Sequence, residues 1–432
     1  MQPPFHKTNV SVDRRTFLAG SMSAGLLGLL PYVGNAQPAR DFRLSLSVSP
    51  FAEQVLAKGI TFTDGHREAR NTEDLQRLFI DHGATEVYAR IGTLRKFTPG
   101  NGDHGVERGI QRAKLAKTLG LPFNPEIGLF ASYGDVTNQP PPDFSDYPQL
   151  KKDGAWHTLK IEQMTPILHD YGALIAAEIL ATGVKVNYWD LGNEVELGVA
   201  GVAINVGGSN TYKAPDAIDP EIGKMTLPRL MRMPETQRAA WLSEHLWPHT
   251  GRMFAAVAAG IRSVDKSARF STHMSGMGVY WPKLAAKFYE VHRDNGYLPD
   301  QLATSFYPTG NTGFRDPLGR MKETVTLLNE MFKRPVFLAE FGFPASTKMV
   351  YGGGTWTKPI PGYPVSPEGQ ANFTHDVVAW GVKTGCLAGV RPWAPDFVGI
   401  GWGAMAYFDL QDKIATARPG LDAIRDGLRL SA

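Results

Sequence analysis

The chain has 432 residues, of which 43% are hydrophobic, 20% charged and 10% aromatic, a globular composition that excludes collagen-like, coiled-coil and wholly disordered proteins. The formal net charge is +3 and no block of basic residues occurs, so nothing points to a nucleic-acid partner. The single cysteine, Cys386, excludes a disulfide within the chain and a cysteine-based zinc site.

The first 36 residues have the three parts of a secretory signal. A polar segment is followed by an apolar run from Phe17 to Val33, and small residues at Gly34 and Ala36 fit a signal-peptidase site. The adjacent Arg14 and Arg15 match the twin-arginine export pattern.

We therefore expect a cleaved twin-arginine signal peptide over residues 1–36 and a periplasmic or secreted protein over 37–432. The alternative is a retained membrane anchor, which Pro31 and the glycines and serines of the apolar run disfavour. No other segment is long and apolar enough to span a membrane, so we expect no stable membrane insertion after cleavage. We also expect a monomer.

Short apolar runs alternate with helical periodicity along the rest of the chain. The predicted strands are Arg43–Val48, Thr85–Ile91, Pro122–Leu129, Val184–Leu191, Ala268–His273, Gln301–Tyr307, Pro335–Phe341 and Leu387–Trp393. The predicted helices are 71–82, Val106–Leu119, Thr165–Thr182, Pro234–Val264, Trp281–Asn295, Leu318–Phe332, Ser366–Thr384 and Leu421–Leu428.

Eight strands alternating with eight helices predict a single-domain (β/α)8 TIM barrel. A doubly wound open sheet is the alternative, but its glycine-rich phosphate loop is missing after the first strand, where Ser49-Pro50-Phe51 stands. Three long loops, at 131–160, 195–233 and 344–364, follow the third, fourth and seventh strands. In a barrel these loops lie at the C-terminal face, where active sites are found.

Two of the predicted strands lead into a glutamate. The fourth runs into Leu191-Gly192-Asn193-Glu194, and the seventh ends at Glu340. These strands face each other across an eight-stranded barrel, so both carboxyl groups can reach the mouth. A retaining glycosidase needs two such groups about 5–5.5 Å apart, one to attack the sugar and one to act as acid and base.

The Gly-Asn-Glu segment and the glutamate that ends strand seven resemble clan A of the glycoside hydrolases. Within the clan, the chain resembles family 53, the arabinogalactan endo-β-1,4-galactanases. Three further segments are similar to that family: Ser305-Phe306-Tyr307-Pro308, the Tyr363–Gln370 run that ends in Pro-Glu-Gly-Gln, and Trp393-Ala394-Pro395. The resemblance implies a retaining endo-β-glycosidase that hydrolyses galactan or arabinogalactan-type polysaccharides without a cofactor or metal.

The resemblance also implies roles for individual residues. Glu194 would be the acid/base and Glu340 the nucleophile. Asn193 would hydrogen-bond the 2-hydroxyl of the sugar. Arg90 would lie beneath Glu340 and keep it ionised, and Tyr307 would hydrogen-bond and orient it.

Four more residues complete the predicted site. Trp393 would form an aromatic floor on which the reacting sugar stacks. Tyr133 and Asp135 match the family's run after strand three, and His273 ends strand five, where it would line or cap the site.

Two departures from the family concern sugar specificity. Ser132 replaces a histidine, and Ile91-Gly92-Thr93 stands where a tryptophan is expected. The loop 201–233 also looks like an addition. These differences leave open a clan A hydrolase that acts on another β-linked glycan.

Two other classes of protein remain as alternatives. A non-catalytic carbohydrate-binding barrel would not need both glutamates together with Arg90 and Tyr307. A metal-dependent deacetylase or esterase would need a cluster of histidines and aspartates at strand ends, which the sequence does not show.

Further motifs are weaker. His245 and His249 are four residues apart, but Pro248 breaks the helix that a zinc pair would need, and 99–105 is a turn rather than a calcium loop. Outer sugar platforms are possible at Trp281, Trp356 and Trp402, each of which could equally anchor a loop.

Overall fold

The computed structural model describes residues 42–96, 104–150, 154–205, 215–310, 313–348, 356–399 and 401–429. Its central sheet consists of eight strands: β1 (Arg43–Leu44), β2 (Val87–Ile91), β3 (Phe123–Ile127), β4 (Trp189–Leu191), β5 (Phe270–Met274), β6 (Gln301–Phe306), β7 (Val336–Phe341) and β8 (Leu387–Pro392). One long helix follows each strand: α1 (Thr72–Asp81), α2 (Val106–Leu119), α3 (Ile161–Leu180), α4 (Trp247–Val264), α5 (Pro282–Asp294), α6 (Pro317–Phe332), α7 (Pro367–Thr384) and α8 (Gly420–Arg429).

All neighbouring strands of this sheet are parallel, in the order β1-β8-β7-β6-β5-β4-β3-β2. The two ends of the sheet meet between β1 and β2. There the Thr85 amide donates to the Leu44 carbonyl at 2.9 Å, and the Tyr88 amide donates to the Ser47 hydroxyl at 2.9 Å. The sheet is therefore closed, and the predicted (β/α)8 barrel is confirmed.

The first strand is shorter than predicted. Its ladder with β8 ends where the Ser45 amide donates to the Val390 carbonyl, and further along the chain two backbone donors bond side chains instead. The Val48 amide donates to Gln76 and the Ser49 amide to Asp396. Strand β4 likewise starts only at Trp189, since Val186 makes no more than an isolated bridge with Phe123.

The helix predicted over 234–264 is two helices, Glu235–His245 and α4. The break falls at Leu246, because Pro248 lacks an amide hydrogen and is tolerated only in the first turn of the second helix. Helix α3 begins four residues earlier than predicted, so Pro166 lies inside it.

Several short elements lie outside the barrel wall. Four strands, Thr61–Thr63, Glu68–Ala69, Phe408–Gln411 and Ile414–Ala417, form the seam sheet, a name we use for this small sheet. The remaining elements are a hairpin (Gly198–Val199 with Val202–Ala203), helices Ala52–Leu56, Pro220–Lys224, Leu227–Met231 and Gly276–Tyr280, and 3-10 helices Trp156–Thr158, Val195–Leu197 and Gly401–Ala404. The sequence patterns did not predict the seam sheet.

The apolar core lies between the strands and the surrounding helices, where Leu302, Val336 and Leu338 are fully buried. A separate small cluster, Ala303, Phe337 and Ala339, is also fully buried. The buried Arg43 and Arg391 guanidinium groups lie over the Phe337 ring, at 4.3 and 5.1 Å from its centre. Among the described residues, no helix has both the length and the apolar character required to cross a bilayer.

Candidate active site

The backbone after β4 makes an unusual turn that presents Glu194. Gly192 has a φ of +75°, and a Cβ atom at this position would overlap the Val195 side chain. Glu194 itself adopts the left-handed conformation, with φ 51° and ψ 59°, which costs a non-glycine residue about 1 kcal/mol or more. The surrounding structure must hold this conformation in place.

Gln139 provides part of that support. Its side-chain amide donates to the carbonyl oxygens of Asn193, at 2.6 Å, and Glu194, at 3.3 Å. The Val136 backbone amide donates to the Glu194 carboxylate at 3.3 Å. The loop after β3 therefore fixes both the backbone and the carboxylate of the predicted acid/base.

Arg90, near the end of β2, connects the predicted nucleophile to the turn after β4. Its Nη2 atom donates to Glu340 Oε1 at 2.5 Å and to Asn193 Oδ1 at 2.8 Å. Asn193 is oriented from its other side, since its Nδ2 atom donates to the Gly134 carbonyl at 2.7 Å. Arg90 and Asn193 are both buried.

Tyr307 follows β6 directly, and its hydroxyl donates to Glu340 Oε2 at 2.8 Å. Both oxygens of Glu340 thus accept a hydrogen bond, one from a guanidinium and one from a phenol, as expected for an ionised carboxylate. Burial, and then the charges of Glu340 and Glu194, raise the pKa of Tyr307 well above its usual value, so the phenol keeps its proton.

The two glutamates differ in electrostatic environment. Burial raises the pKa of Glu194 well above its ordinary value, and the negative charges of Glu340 and then Asp135 raise it further. Glu340, in contrast, contacts the Arg90 guanidinium directly. Two carboxyl groups in such different surroundings can take different roles, one as an acid and the other as a carboxylate.

Three more of the predicted residues lie around this pair. The Trp393 ring lies 4.7 Å from the Arg90 guanidinium carbon, and the half-buried Tyr133 ring lies 5.9 Å from it. Asp135 is half-buried and accepts hydrogen bonds from the amide and hydroxyl of Thr137. Strands β2, β4, β6, β7 and β8 and the loop after β3 therefore bring these side chains together.

His273 lies in β5 and is as deeply buried as Asn193, with 1% of its surface exposed. Its Nδ1 atom is 4.0 Å from the Glu126 carboxylate. Burial, with the nearby charges of Arg90 and Arg391, lowers its pKa well below the usual value, so the ring is neutral.

Sequence reasoning missed two residues that support the site. Glu126 accepts a hydrogen bond from Arg90 Nε at 2.5 Å and is fully buried in β3. A charged residue in the middle of a buried strand is a signal that could have identified it. Gln139 lies in a loop run, Asn-Gln-Pro-Pro-Pro, which gives no comparable signal.

The tryptophans and histidines of the weaker motifs lie in different surroundings. Trp356 and Trp402 flank Tyr307, each with its ring centre 5.3 Å from the tyrosine ring, whereas Trp281 packs on Arg238. His245 pairs with Asp219 at 2.9 Å and lies on a different helix from His249.

Within the parts of the chain that the structure describes, no three His, Cys, Asp or Glu residues are grouped to hold a metal ion. Cys386 is buried. The proposed turn at 99–105 and the signal at 1–36 lie wholly or mostly outside the described residues.

Solved structures share this fold at low sequence identity. The Ignisphaera aggregans GH53 catalytic domain superposes with a TM-score of 0.65 at 17% identity, covering 91% of this chain and 99% of that one. A fungal β-1,4-galactanase gives 0.62 at 16% identity, covering 89% and 98%. Xylanase10C from Cellvibrio japonicus, solved with xylopentaose, gives 0.52 at 13% identity, covering 91% and 68%.

Sequence comparison extends the likeness. An uncharacterized protein encoded in the bgaB 5′ region of Niallia circulans is 22% identical over 389 residues, which cover 86% of this chain and 91% of that protein. The profile of glycosyl hydrolase family 53 matches residues 54–416, a span that contains both glutamates. The chain is therefore a glycoside hydrolase that belongs to glycosyl hydrolase family 53.

Proposed function

We propose that this enzyme is a retaining endo-β-1,4-galactanase in which Glu340 is the nucleophile and Glu194 the acid/base. The observation that carries the mechanism is the different surroundings of the two carboxyl groups. Arg90 and Tyr307 hydrogen-bond both oxygens of Glu340, while burial and neighbouring negative charge raise the pKa of Glu194.

In the first step, a Glu340 oxygen attacks the anomeric carbon and forms a glycosyl ester as the glycosidic bond breaks. Glu194 is protonated because of its raised pKa, and it gives its proton to the leaving oxygen. The departing oligosaccharide leaves as a neutral alcohol.

In the second step, Glu194 removes a proton from water while the water oxygen attacks the anomeric carbon and breaks the ester bond. Glu194 is a carboxylate at this stage because it has given its proton to the leaving oxygen, so it can accept the proton from water. Burial still raises its pKa, whereas the charge of Glu340, the next cause, is absent while Glu340 is an ester.

The cleft offers recognition groups suited to a sugar. Trp393 supplies an aromatic face, and apolar sugar faces pack on such rings. The Asn193 side-chain nitrogen carries two hydrogens, one of which is held by Gly134, so the other can reach a sugar 2-hydroxyl. Tyr133 and Asp135 border the same space from the loop after β3.

The preference for galactan is supported by the match to family 53 and by the galactanases among the structural neighbours. A second candidate is hydrolysis of another β-linked glycan. The observation that favours it is Ser132, which replaces the family's histidine and is exposed on the loop beside Tyr133.

The test is hydrolysis of a panel of β-linked polysaccharides, β-1,4-galactan included, by the wild type and by Glu194→Gln and Glu340→Gln. We expect oligosaccharides from galactan, a loss of about 10³-fold or more in each variant, and retained anomeric configuration in the first product seen by NMR. Glu330→Gln is the matched control, because Asn329-Glu330 repeats the dipeptide on α6 with the glutamate exposed.

Each other result has a definite meaning. Activity confined to another glycan would reassign the substrate and keep the mechanism. Inverted configuration would contradict the double displacement. Sugar binding without hydrolysis of any substrate would favour a binding protein.

We also propose that residues 1–36 direct twin-arginine export and are removed, and that the mature enzyme acts as a periplasmic or secreted monomer. The support is the signal pattern in the sequence, with its paired Arg14 and Arg15 ahead of the apolar run.

A further inference from the structure

A chain of buried charges runs through the barrel interior below Glu340. We call it the axial network; its members are Arg43, Glu86, Asn124, Arg391, Asp190, Glu126, Arg90 and Glu340. Barrel interiors are usually filled by branched apolar side chains, so charged groups here carry a desolvation cost. They are compensated because each charged member pairs with a group of opposite charge, and the neutral Asn124 accepts hydrogen bonds from both Arg43 and Arg391.

Glu126 is the member that connects the catalytic end to the rest. Its Oε1 atom accepts from Arg90 Nε at 2.5 Å. Its Oε2 atom accepts from the Tyr88 hydroxyl at 3.0 Å and lies 3.5 Å from Arg391 Nη1. Glu126 is fully buried, so it cannot touch a substrate.

We propose that Glu126 is a positioning residue that acts on the nucleophile through Arg90. This inference rests on the proposed function of Glu340.

The first argument is geometric. A guanidinium group is planar, so fixing the direction of Nε also fixes the direction of Nη2. Glu126 holds Nε, and Nη2 is the atom that bonds both Glu340 and Asn193. Glu126 therefore sets the position from which Arg90 holds the nucleophile and the 2-hydroxyl contact together.

The second argument is electrostatic. Arg90 forms ion pairs with two carboxylates, Glu126 and Glu340. The negative charge of Glu126 therefore offsets part of the positive charge that Arg90 presents to Glu340. Without it, Arg90 would bind the Glu340 anion more strongly and make that anion less reactive.

The opposite end of the axial network supplies a matched control. Glu86 is fully buried and also accepts two hydrogen bonds from one arginine, Arg43, at 2.9 and 2.8 Å. It makes no contact with Arg90 or Glu340 among the hydrogen bonds of the described residues. Removing its charge disturbs the barrel interior in the same way, but away from the nucleophile.

The experiment compares Glu126→Gln with Glu86→Gln in the full chain. Each variant is characterised by kcat and KM, by the pH profile of kcat/KM, and by the midpoint of thermal unfolding. We expect Glu126→Gln to lower kcat about 10²-fold with KM changed less than about threefold, a loss typical of a misplaced reacting group. The acidic limb of its pH profile should move to lower pH, because a negative charge near the nucleophile is lost.

Glu86→Gln should keep kcat within about threefold of the wild type, even if both variants lower the unfolding midpoint. The proposal would be overturned if the two variants had equal kcat. It would also be overturned if the decrease in kcat of Glu126→Gln were no larger than the fraction of that variant that is unfolded under the assay conditions. If Glu126→Gln does not fold, Glu126→Asp takes its place. It keeps the charge on a shorter side chain, so kcat should fall while the acidic limb stays in place, and an unchanged kcat would overturn the proposal.

The activity of the wild type distinguishes a failure of the proposed function from a failure of the inference about Glu126. A wild type without glycosidase activity contradicts the proposed function and this inference with it. An active wild type with an unimpaired Glu126→Gln variant contradicts this inference alone.

Discussion

At the scale of single residues, the cleft places two chemically identical side chains in different surroundings. Glu340 is bonded by Arg90 and Tyr307, whereas Glu194 is near the negative charges of Glu340 and Asp135. The difference comes from backbone positions that are far apart in the sequence. In the proposed mechanism, this difference assigns one carboxyl group to attack and the other to proton transfer.

Asp135→Asn tests the electrostatic contribution at this scale. The Asp135 charge raises the pKa of Glu194, so removing it lowers that pKa, and the general acid loses its proton at lower pH. We expect the basic limb of kcat/KM against pH to move to lower pH. Thr137→Val, which removes a hydroxyl bonded to Asp135 but keeps the charge, should leave the limb in place. An unmoved limb in Asp135→Asn would contradict the assignment of Glu194 as the acid.

At the scale of elements, α3 and α4 pack closely because two glycines let their backbones meet. A Cβ atom at Gly172 would lie 2.6 Å from the Val257 carbonyl oxygen, and one at Gly260 would overlap the His169 carbonyl. The long loops that follow β3 and β4 therefore start from strands whose outer helices are fixed against each other.

Gly260→Ala should lower the free energy of unfolding by about 1–3 kcal/mol, because the added methyl group meets backbone that cannot rotate away. Urea denaturation followed by circular dichroism measures this. Ala259→Leu adds more volume at the next residue, which is exposed, and should change stability by less than about 0.5 kcal/mol. Similar losses in both variants would show that the close contact is not the cause.

Elements with strong local patterns could be predicted from the sequence, and those that depend on distant partners could not. Strand β7 was predicted to within one residue because it is a continuous apolar run with a clear end. The predicted end of β1, at Val48, was wrong. The backbone amides of Val48 and Ser49 donate to the side chains of Gln76 and Asp396, and no local sequence pattern reveals these distant partners.

The same distinction holds in the candidate site. Glu194 and Glu340 could be found because each closely follows a strand signal. Glu126 and Gln139 act through contacts with Arg90 and the Asn193 carbonyl, and only the folded structure shows those contacts.

At the scale of the whole molecule, a buried histidine makes stability depend on pH. His292 is bonded through Nδ1 to the Phe288 carbonyl at 2.8 Å and through Nε2 to the Thr250 hydroxyl at 3.0 Å. Burial lowers its pKa from 6.5 to about 4. The unfolded chain therefore takes up this proton near pH 6.5, whereas the folded protein takes it up only near pH 4.

Stability should consequently fall as the pH decreases from about 6.5 to about 4, by about 3 kcal/mol from this group, and change no further from it below that. In His292→Gln the free energy of unfolding should fall less steeply over this pH range. His66→Gln, at an exposed position, should retain the wild-type slope. An unchanged slope in His292→Gln would contradict the assignment.

The proposed export is a property of the whole chain and has its own test. Replacing both Arg14 and Arg15 by lysine should leave the full-length precursor in the cytoplasm of the expressing bacterium, as cell fractionation would show. Lys7→Gln, in the same polar segment, should be exported like the wild type, with Gln37 as the first residue of the mature protein. Export of the double variant would contradict the twin-arginine route.

The seam sheet has a consequence for how the chain folds. It pairs Thr61–Thr63, between β1 and α1, with 414–416, between β8 and α8, so it joins segments roughly 350 residues apart. Closing a loop of that length costs about 5 kcal/mol of chain entropy, which must be spent before the contact stabilises anything. The first and last βα units are thus the part of the barrel with the highest contact order, and we expect them to join after the units between them have folded.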